Sequence, residues 1–266
     1  MDERFEKYAG HLMEFVFSAL GTLDEFQVFS AAVGVTGDLA RAIQKQIQPY
    51  AEPLLQALLA ALSSPVLHRT AKPTVVSVFG DIAIALGPGF TPYLQNVMGM
   101  LSQAGQVKAE PNSDAGMIDF VWAMRESIAE AFIGILTGLQ EQRKRSRRRL
   151  ICRDVVLKSP LPFFVAMAFS PYVEGILMYI QTTTADEDAS PDYLKTCYNL
   201  LGDLASTYQA ALKPALLEPS ISRVLGEAKS RGYKQRGVVN AAKYARQASD
   251  VHDSVNTSRT NAICLA

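Results

Sequence analysis

The sequence predicts an all-α protein, an α-α superhelix of about four stacked helix pairs with a terminal helical cap. Three observations carry this. Apolar residues recur at spacings of three and four along most of the chain. Strand signals are weak: few segments alternate strictly, and no Asn-Gly or Asp-Gly dipeptide joins two apolar runs. A short motif also repeats at an interval typical of helix-pair arrays.

The elements follow from stripes and punctuation. Phe26, Phe29, Val33, Leu39 and Ile43 form one apolar face, leaving Gln27, Ser30, Asp38 and Arg41 as its polar stripe. Leucines 54, 55, 58, 59 and 62 form a second face. Ile118, Val121, Ile128, Phe132, Ile135 and Leu139 form a third. Turn signals fall at Gly21, Ser63-Ser64-Pro65, Gly87-Pro88-Gly89, 109–114 and 182–191. The helices then span about 3–20, 24–44, 48–62, 66–86, 90–104, 115–139, 164–181, 191–210 and 213–229, with a further one near 236–250.

The repeat is a Gly-Asp pair at 37–38, 80–81 and 202–203, each followed by an apolar residue. Eleven residues after each Asp stands a proline: Pro49, Pro92 and Pro214. Asp38 and Asp81 are 43 residues apart, the period of a solenoid whose pairs bury their apolar faces only by stacking. A decayed copy puts Gly134 at the aspartate position and matches Pro171-Tyr172 to Pro92-Tyr93. Proline in a first helical turn loses no backbone bond and forces the previous helix to stop. A recurring helix-interior glycine, which costs up to about 1 kcal/mol against alanine, predicts close approach of neighbouring helices. Two readings of the aspartates stand side by side: hydrogen bonds to the adjacent repeat, or a ladder of acids facing a basic ligand.

Composition fits a large core. Of 266 residues, 48% are apolar and 20% charged, which excludes global disorder. The 26 basic and 26 acidic residues cancel, so nothing global marks a nucleic-acid binder. Their distribution is uneven: residues 1–142 hold 15 acids and 8 bases, a net of −7, and the remainder carries +7. Two surfaces with different partners are implied. Cys152, Cys197 and Cys264 form no CxxC pair or disulfide framework, which fits a reducing interior. The acidic start is no secretory signal. Leu161–Ile180 has the length of a membrane span, but Pro162, Pro171 and Glu174 interrupt it, so no span is expected.

Catalytic patterns are missing. There is no GxSxG, HExxH or GxxxxGK[ST] motif, and the Cys/His spacing supports no zinc site. His11, His68 and His252 have no evident catalytic partners. No enzyme activity, cofactor or metal is expected. Trp122, the single tryptophan, is core filler or a partner anchor. Six of the seven residues from Arg143 to Arg149 are basic. They read as a solvated insertion covering about 141–165, or as a localisation or phosphate-binding patch. Residues 1–250 are otherwise expected to form one solenoid, with 251–266 a disordered tail.

Several stretches carry a specific resemblance. They are Ala31-Ala-Val-Gly-Val-Thr-Gly-Asp-Leu39, Val66-Leu-His-Arg-Thr-Ala-Lys-Pro73, Ser77-Val-Phe-Gly-Asp-Ile-Ala83 and Met124-Arg-Glu-Ser127. Leu200-Leu-Gly-Asp-Leu204 and Glu218-Pro-Ser-Ile-Ser-Arg-Val-Leu225 extend it nearly to the end. In this order they resemble the carboxyl-terminal HEAT repeats of the importin beta family of nuclear import receptors. The resemblance implies a protein-binding fragment in nucleocytoplasmic transport, located in cytoplasm and nucleus, including the nuclear pore. It implies a concave face lined by the second helices, which wraps a basic helix of importin alpha or basic cargo. Candidate contacts on those helices are Asp24, Glu25, Asp38, Asp81, Asp119, Trp122, Glu126, Glu130, Asp192 and Asp203. FG nucleoporins are further partners in the family. Ran-GTP is not expected, because its family site lies on amino-terminal repeats. The other reading of the fold is a generic HEAT scaffold in another assembly, with no transport role.

Overall fold

The computed structural model describes residues 3–110, 112–150, 161–186, 188–208, 212 and 239–247. Among these there are helices and turns but no strand. The chain divides into two compact units, Met1–Ala168 and Phe169–Ala266, each taken by itself.

The first unit runs α1 (Glu3–Leu20), α2 (Phe26–Ile43), α3 (Gln48–Ser63), α4 (Lys72–Leu86), α5 (Leu94–Ala104) and α6 (Ala115–Leu150). Short 3-10 turns at Gln44–Ile47, Arg69–Ala71 and Gly87–Tyr93 connect some of them. Helix α1 packs on α2, α3 on α4 and α5 on α6, which makes three pairs. The second helices also stack in series, α2 on α4 and α4 on α6. Isolated helices of this length are marginal in water, so the stacking is what stabilises them. Phe29, Leu54, Leu58, Phe79, Ile82 and Ile135 are fully enclosed between the layers. Each such side chain contributes roughly 1.5–3 kcal/mol by leaving water.

The stack follows the sequence repeat. A Cβ on Gly37 would stand 2.8 Å from Asp81 Oδ2 and 3.3 Å from Val78 Cγ2. A Cβ on Gly80 would stand 3.3 Å from the Ala131 Cα and 3.5 Å from the Gly134 Cα. Each glycine thus faces two residues three apart on the next second helix. Val78 and Asp81 in one step become Ala131 and Gly134 in the following one, which is the register the sequence predicts. The ends repeat as well. Helix α2 stops at Gln44 with φ 48°, and α4 stops 43 residues later at Gly87 with φ 59°. Pro49 sits in the first turn of α3, as expected. Pro92 lies in the 3-10 turn just before α5, so α5 starts at Leu94 and not near 90.

Three further boundaries and one core assignment depart from expectation. Helix α2 begins at Phe26, leaving Asp24 and Glu25 in the preceding turn. The segment 66–86 opens with a bend and a 3-10 turn before α4 proper. His68 caps that turn by accepting from the Thr70 amide, and its ring lies 5.0 Å from that of Phe26. Ile118, assigned to the core stripe of 118–139, is 41% exposed. Helix α6 does not end at 139: it continues to Leu150, through the basic run. Arg, Lys, Glu and Gln are good helix formers, and no Gly or Pro stands between Gly138 and Leu150 to stop an established helix. Residues 151–160 lie outside the described residues.

Arg69–Ala104 is apolar and long enough to cross a membrane, but 61% of its most apolar window is buried against the rest of the chain. It is broken into α4, a 3-10 turn and α5, and belongs to the core.

Helix α7 (Leu161–Thr184) enters the second unit at Phe169, and α8 (Pro191–Tyr208) and α9 (residues 239–247) follow it there. From Phe169 onward α7 buries Phe169, Val173, Ile176, Leu177 and Ile180 and exposes Glu174 and Met178. That single stripe is the pattern of an amphipathic packed helix. Tyr193 on α8 is buried, and its hydroxyl donates to Thr183 Oγ1. The predicted helix 213–229 and Pro214 lie outside the described residues.

Candidate functional site

The solvent face of the stacked second helices carries most of the expected contacts. On α2, Arg41 stands three residues after Asp38. Its Nη2 donates to Asp38 Oδ1 at 2.7 Å, and its Nη1 donates to Asp81 Oδ2 on α4. One guanidinium therefore joins two successive repeats. The Asp38 side chain is 77% exposed and that of Asp81 only 21%, so the bond to Asp81 is the better shielded of the two. Both bonds, that to Asp81 first, hold the Arg41 pKa above its ordinary value.

The row continues onto α6. Partial burial pushes the Glu130 carboxyl up from its usual value, and the negative charges of Glu126 and then Asp81 add to that push. Glu126 and Glu130 are four apart and share one helix face. One turn earlier, Trp122 is half-buried, and the Arg125 guanidinium lies 4.5 Å from its ring centroid. Asp119 is exposed a turn further back. Asp38, Arg41, Asp81, Glu130, Glu126 and Trp122 thus form a charged row over three stacked helices.

The other expected residues stand apart from it. Asp24 and Glu25 are exposed in the turn before α2, and the Glu25 side chain makes no capping bond. In the second unit, Asp192 is exposed in the first turn of α8, where a carboxylate suits the helix dipole. Asp203 is half-buried and accepts from the Tyr244 hydroxyl at 3.0 Å. Its neighbour Gly202 lies directly against the Tyr244 ring. The Gly-Asp pair of α8 therefore meets an aromatic side chain where the first two copies meet a second helix.

Two arginines escape sequence reasoning: Arg41 in the row and Arg125 over its Trp122. Arg41 has a signal in hindsight. It follows Asp38 at a helical spacing, and the 43-residue period brings Asp81 to the same level. Nothing in the sequence marks Arg125 as the cation over Trp122. The row offers carboxylates and arginines but no nucleophile–base pair. Among the described residues, no group of three His, Cys, Asp or Glu could hold a metal ion. Buried Cys197 has its thiol pushed up to about 12 by desolvation, which makes it a core residue and not a nucleophile.

Stacked helix pairs whose second helices pack in series define an α-solenoid. Comparison with known proteins narrows the class. Residues 1–151 match the family model described as importin subunit beta-1-like, TPR repeats. Importin subunit beta-1 of Schizosaccharomyces pombe is 35% identical over 87% of this chain and 24% of its own length. A crystal structure of importin beta superposes with a TM-score of 0.76 at 29% identity, covering 94% of this chain and 28% of that one. A Kap95:Nup1 complex superposes with a TM-score of 0.75 over 92% of this chain and 26% of that one; at 24% identity it speaks for the fold alone. The chain belongs to the importin subunit beta-1-like family, HEAT-repeat proteins of nuclear transport. It spans about a quarter of the length of the curated relatives it matches.

Proposed function

We propose that this chain binds a basic protein segment, importin alpha or basic cargo, along its second helices during transport between cytoplasm and nucleus. The observation that carries the reading is the convergence of Asp81, Glu126 and Glu130 from two successive helices. Burial first, and then the charges of Glu126 and Asp81, push the Glu130 carboxyl upward. A cation laid across them relieves their repulsion, and each added contact is charge-assisted. Trp122 supplies an aromatic face beside the acids, the usual companion of an arginine. Ran-GTP is not a ligand of these helices in this reading.

A fluorescein-labelled basic helical segment of importin alpha, titrated at two salt concentrations, tests the reading. Binding should weaken several-fold between low and physiological ionic strength, because rim-exposed pairs are screened. The double change Glu126→Lys/Glu130→Lys should weaken it further, and Ran-GTP should leave the titration unaltered. Salt-insensitive binding, or a double variant that binds like the parent, would leave a generic HEAT scaffold as the better description.

A further inference from the structure

We infer that Arg41 is an internal counter-ion, seated where a ligand's basic side chain would otherwise sit on the acidic row. The inference rests on the binding reading above and names a residue that limits it. Arg41 is the chain's own side chain, yet it behaves as a bound guanidinium. It forks between Asp38 of its own helix and Asp81 of the next. On α6 the Glu130 carboxyl is raised by burial first, then by the charge of Glu126, and least by that of Asp81. The row is therefore neutralised at its α2–α4 end and left under like-charge pressure at its α4–α6 end.

The same arrangement recurs one level along, where Arg125 covers Trp122. At both levels an arginine already occupies the group that would recognise one. An incoming basic segment then finds its strongest unshared attraction at Glu126 and Glu130. It engages Asp81 only by exchange with Arg41, which swings out on its long side chain at modest cost. With its side chain 55% exposed, Arg41 has solvent to swing into. The pair at Asp81 thus restrains affinity and sets the level of the row at which a ligand docks first.

The test is a titration of a fluorescein-labelled Arg-rich helical peptide at low salt against the parent chain, Arg41→Met, Asp81→Asn, the double Arg41→Met/Asp81→Asn, and Lys45→Met. Lys45 is exposed just beyond α2, and its loss controls for a simple change of net charge. Arg41→Met should tighten binding about two- to fivefold, the range an exposed ion pair supplies. Lys45→Met should tighten it clearly less. Asp81→Asn should weaken binding in the parent clearly less than Glu126→Gln does, because Arg41 already shares that carboxylate, and it should cancel the gain in the Arg41→Met background.

A folded Arg41→Met chain that binds no better than the parent overturns the inference, as does an equal gain from Lys45→Met. Should Arg41→Met fail to fold by circular dichroism, Asp81→Asn alone decides. Weakening comparable to that of Glu126→Gln then means that Asp81 is directly available to ligand and Arg41 is no competitor. The two readings fail differently. If Glu126→Lys/Glu130→Lys weakens binding but Arg41→Met does not strengthen it, only the counter-ion role falls. If neither the parent nor Arg41→Met binds the peptide, both fall together.

Discussion

Gly134 of α6 lies so close to Gly80 of α4 that a Cβ built on Gly134 would stand 2.6 Å from the Gly80 Cα. No side chain can occupy that space without parting the two helices. Glycine inside a helix is ordinarily a liability, costing up to about 1 kcal/mol against alanine. Here it permits backbone contact along the α4–α6 seam.

Gly134→Ala should therefore destabilise the chain by about 1–3 kcal/mol, since the clash is with backbone and cannot be relieved by a rotamer change. Gly34→Ala is the control. Gly34 also lies inside a helix, α2, but nothing stands within 4 Å of a Cβ placed there. That substitution should stabilise by about 0.5–1 kcal/mol through propensity alone. Urea unfolding midpoints of the two variants should move in opposite directions. A common direction would mean that the α4–α6 contact is looser than its geometry.

The Gly-Asp pairs were legible because they combine a costly residue with a fixed period. A glycine kept in a helix interior points to a neighbour's backbone, and a period of 43 says which neighbour. The Arg41 fork was not legible in the same way. Its contact with Asp81 crosses between helices, and a polar stripe does not say which of its members find partners. Helix α6 runs past the end that its apolar stripe predicts, because a block of like charge has the pattern of a loop. Repulsion disfavours folding only weakly when each residue is a good helix former and the helix is already nucleated. Ile118 shows the opposite limit. Periodicity puts a residue on a stripe without saying how far along the stripe a neighbour covers it.

The acidic pair on α6 gives a pH dependence with a definite sign. Burial, Glu126 and Asp81 place the Glu130 carboxyl above its usual 4.5, so the folded chain takes up this proton at higher pH than the unfolded chain does. Between those two values the folded state holds more protons, and stability falls as pH rises through the folded value. The contribution is fully present below the unfolded value and lost at neutral pH. Glu130→Gln should therefore raise the unfolding midpoint near neutral pH. The advantage over the parent should shrink as the pH drops below the usual carboxylate value. Added salt should also narrow it, because Glu126 and Asp81 act through screened charge. A Glu130→Gln chain less stable than the parent at neutral pH would show that the carboxylate holds a favourable contact that outweighs its repulsion.

The matched helix ends offer a stability gain that the repeat itself suggests. Gln44 and Gly87 close α2 and α4 at equivalent positions, with φ/ψ of 48°/−125° and 59°/−132°. Positive φ with ψ near these values is glycine territory, and a side chain there strains the backbone by about 1–3 kcal/mol. At Gly87 the residue fits the conformation. At Gln44 it does not, and the Gln44 side chain is exposed. Gln44→Gly removes the strain but adds freedom to the unfolded chain, which returns up to about 1 kcal/mol of the gain. The net effect should be stabilising by about 1 kcal/mol. The reciprocal Gly87→Gln should destabilise by at least that amount, for the backbone penalty is the same and Gly87 is buried, so the added side chain also displaces packed neighbours. Paired thermal unfolding of the two variants checks this. A Gln44→Gly chain no more stable than the parent, beside a Gly87→Gln chain that loses stability, would mean that the Gln44 side chain makes a contact that compensates its backbone. The equivalence of the two helix ends would then be geometric and not energetic.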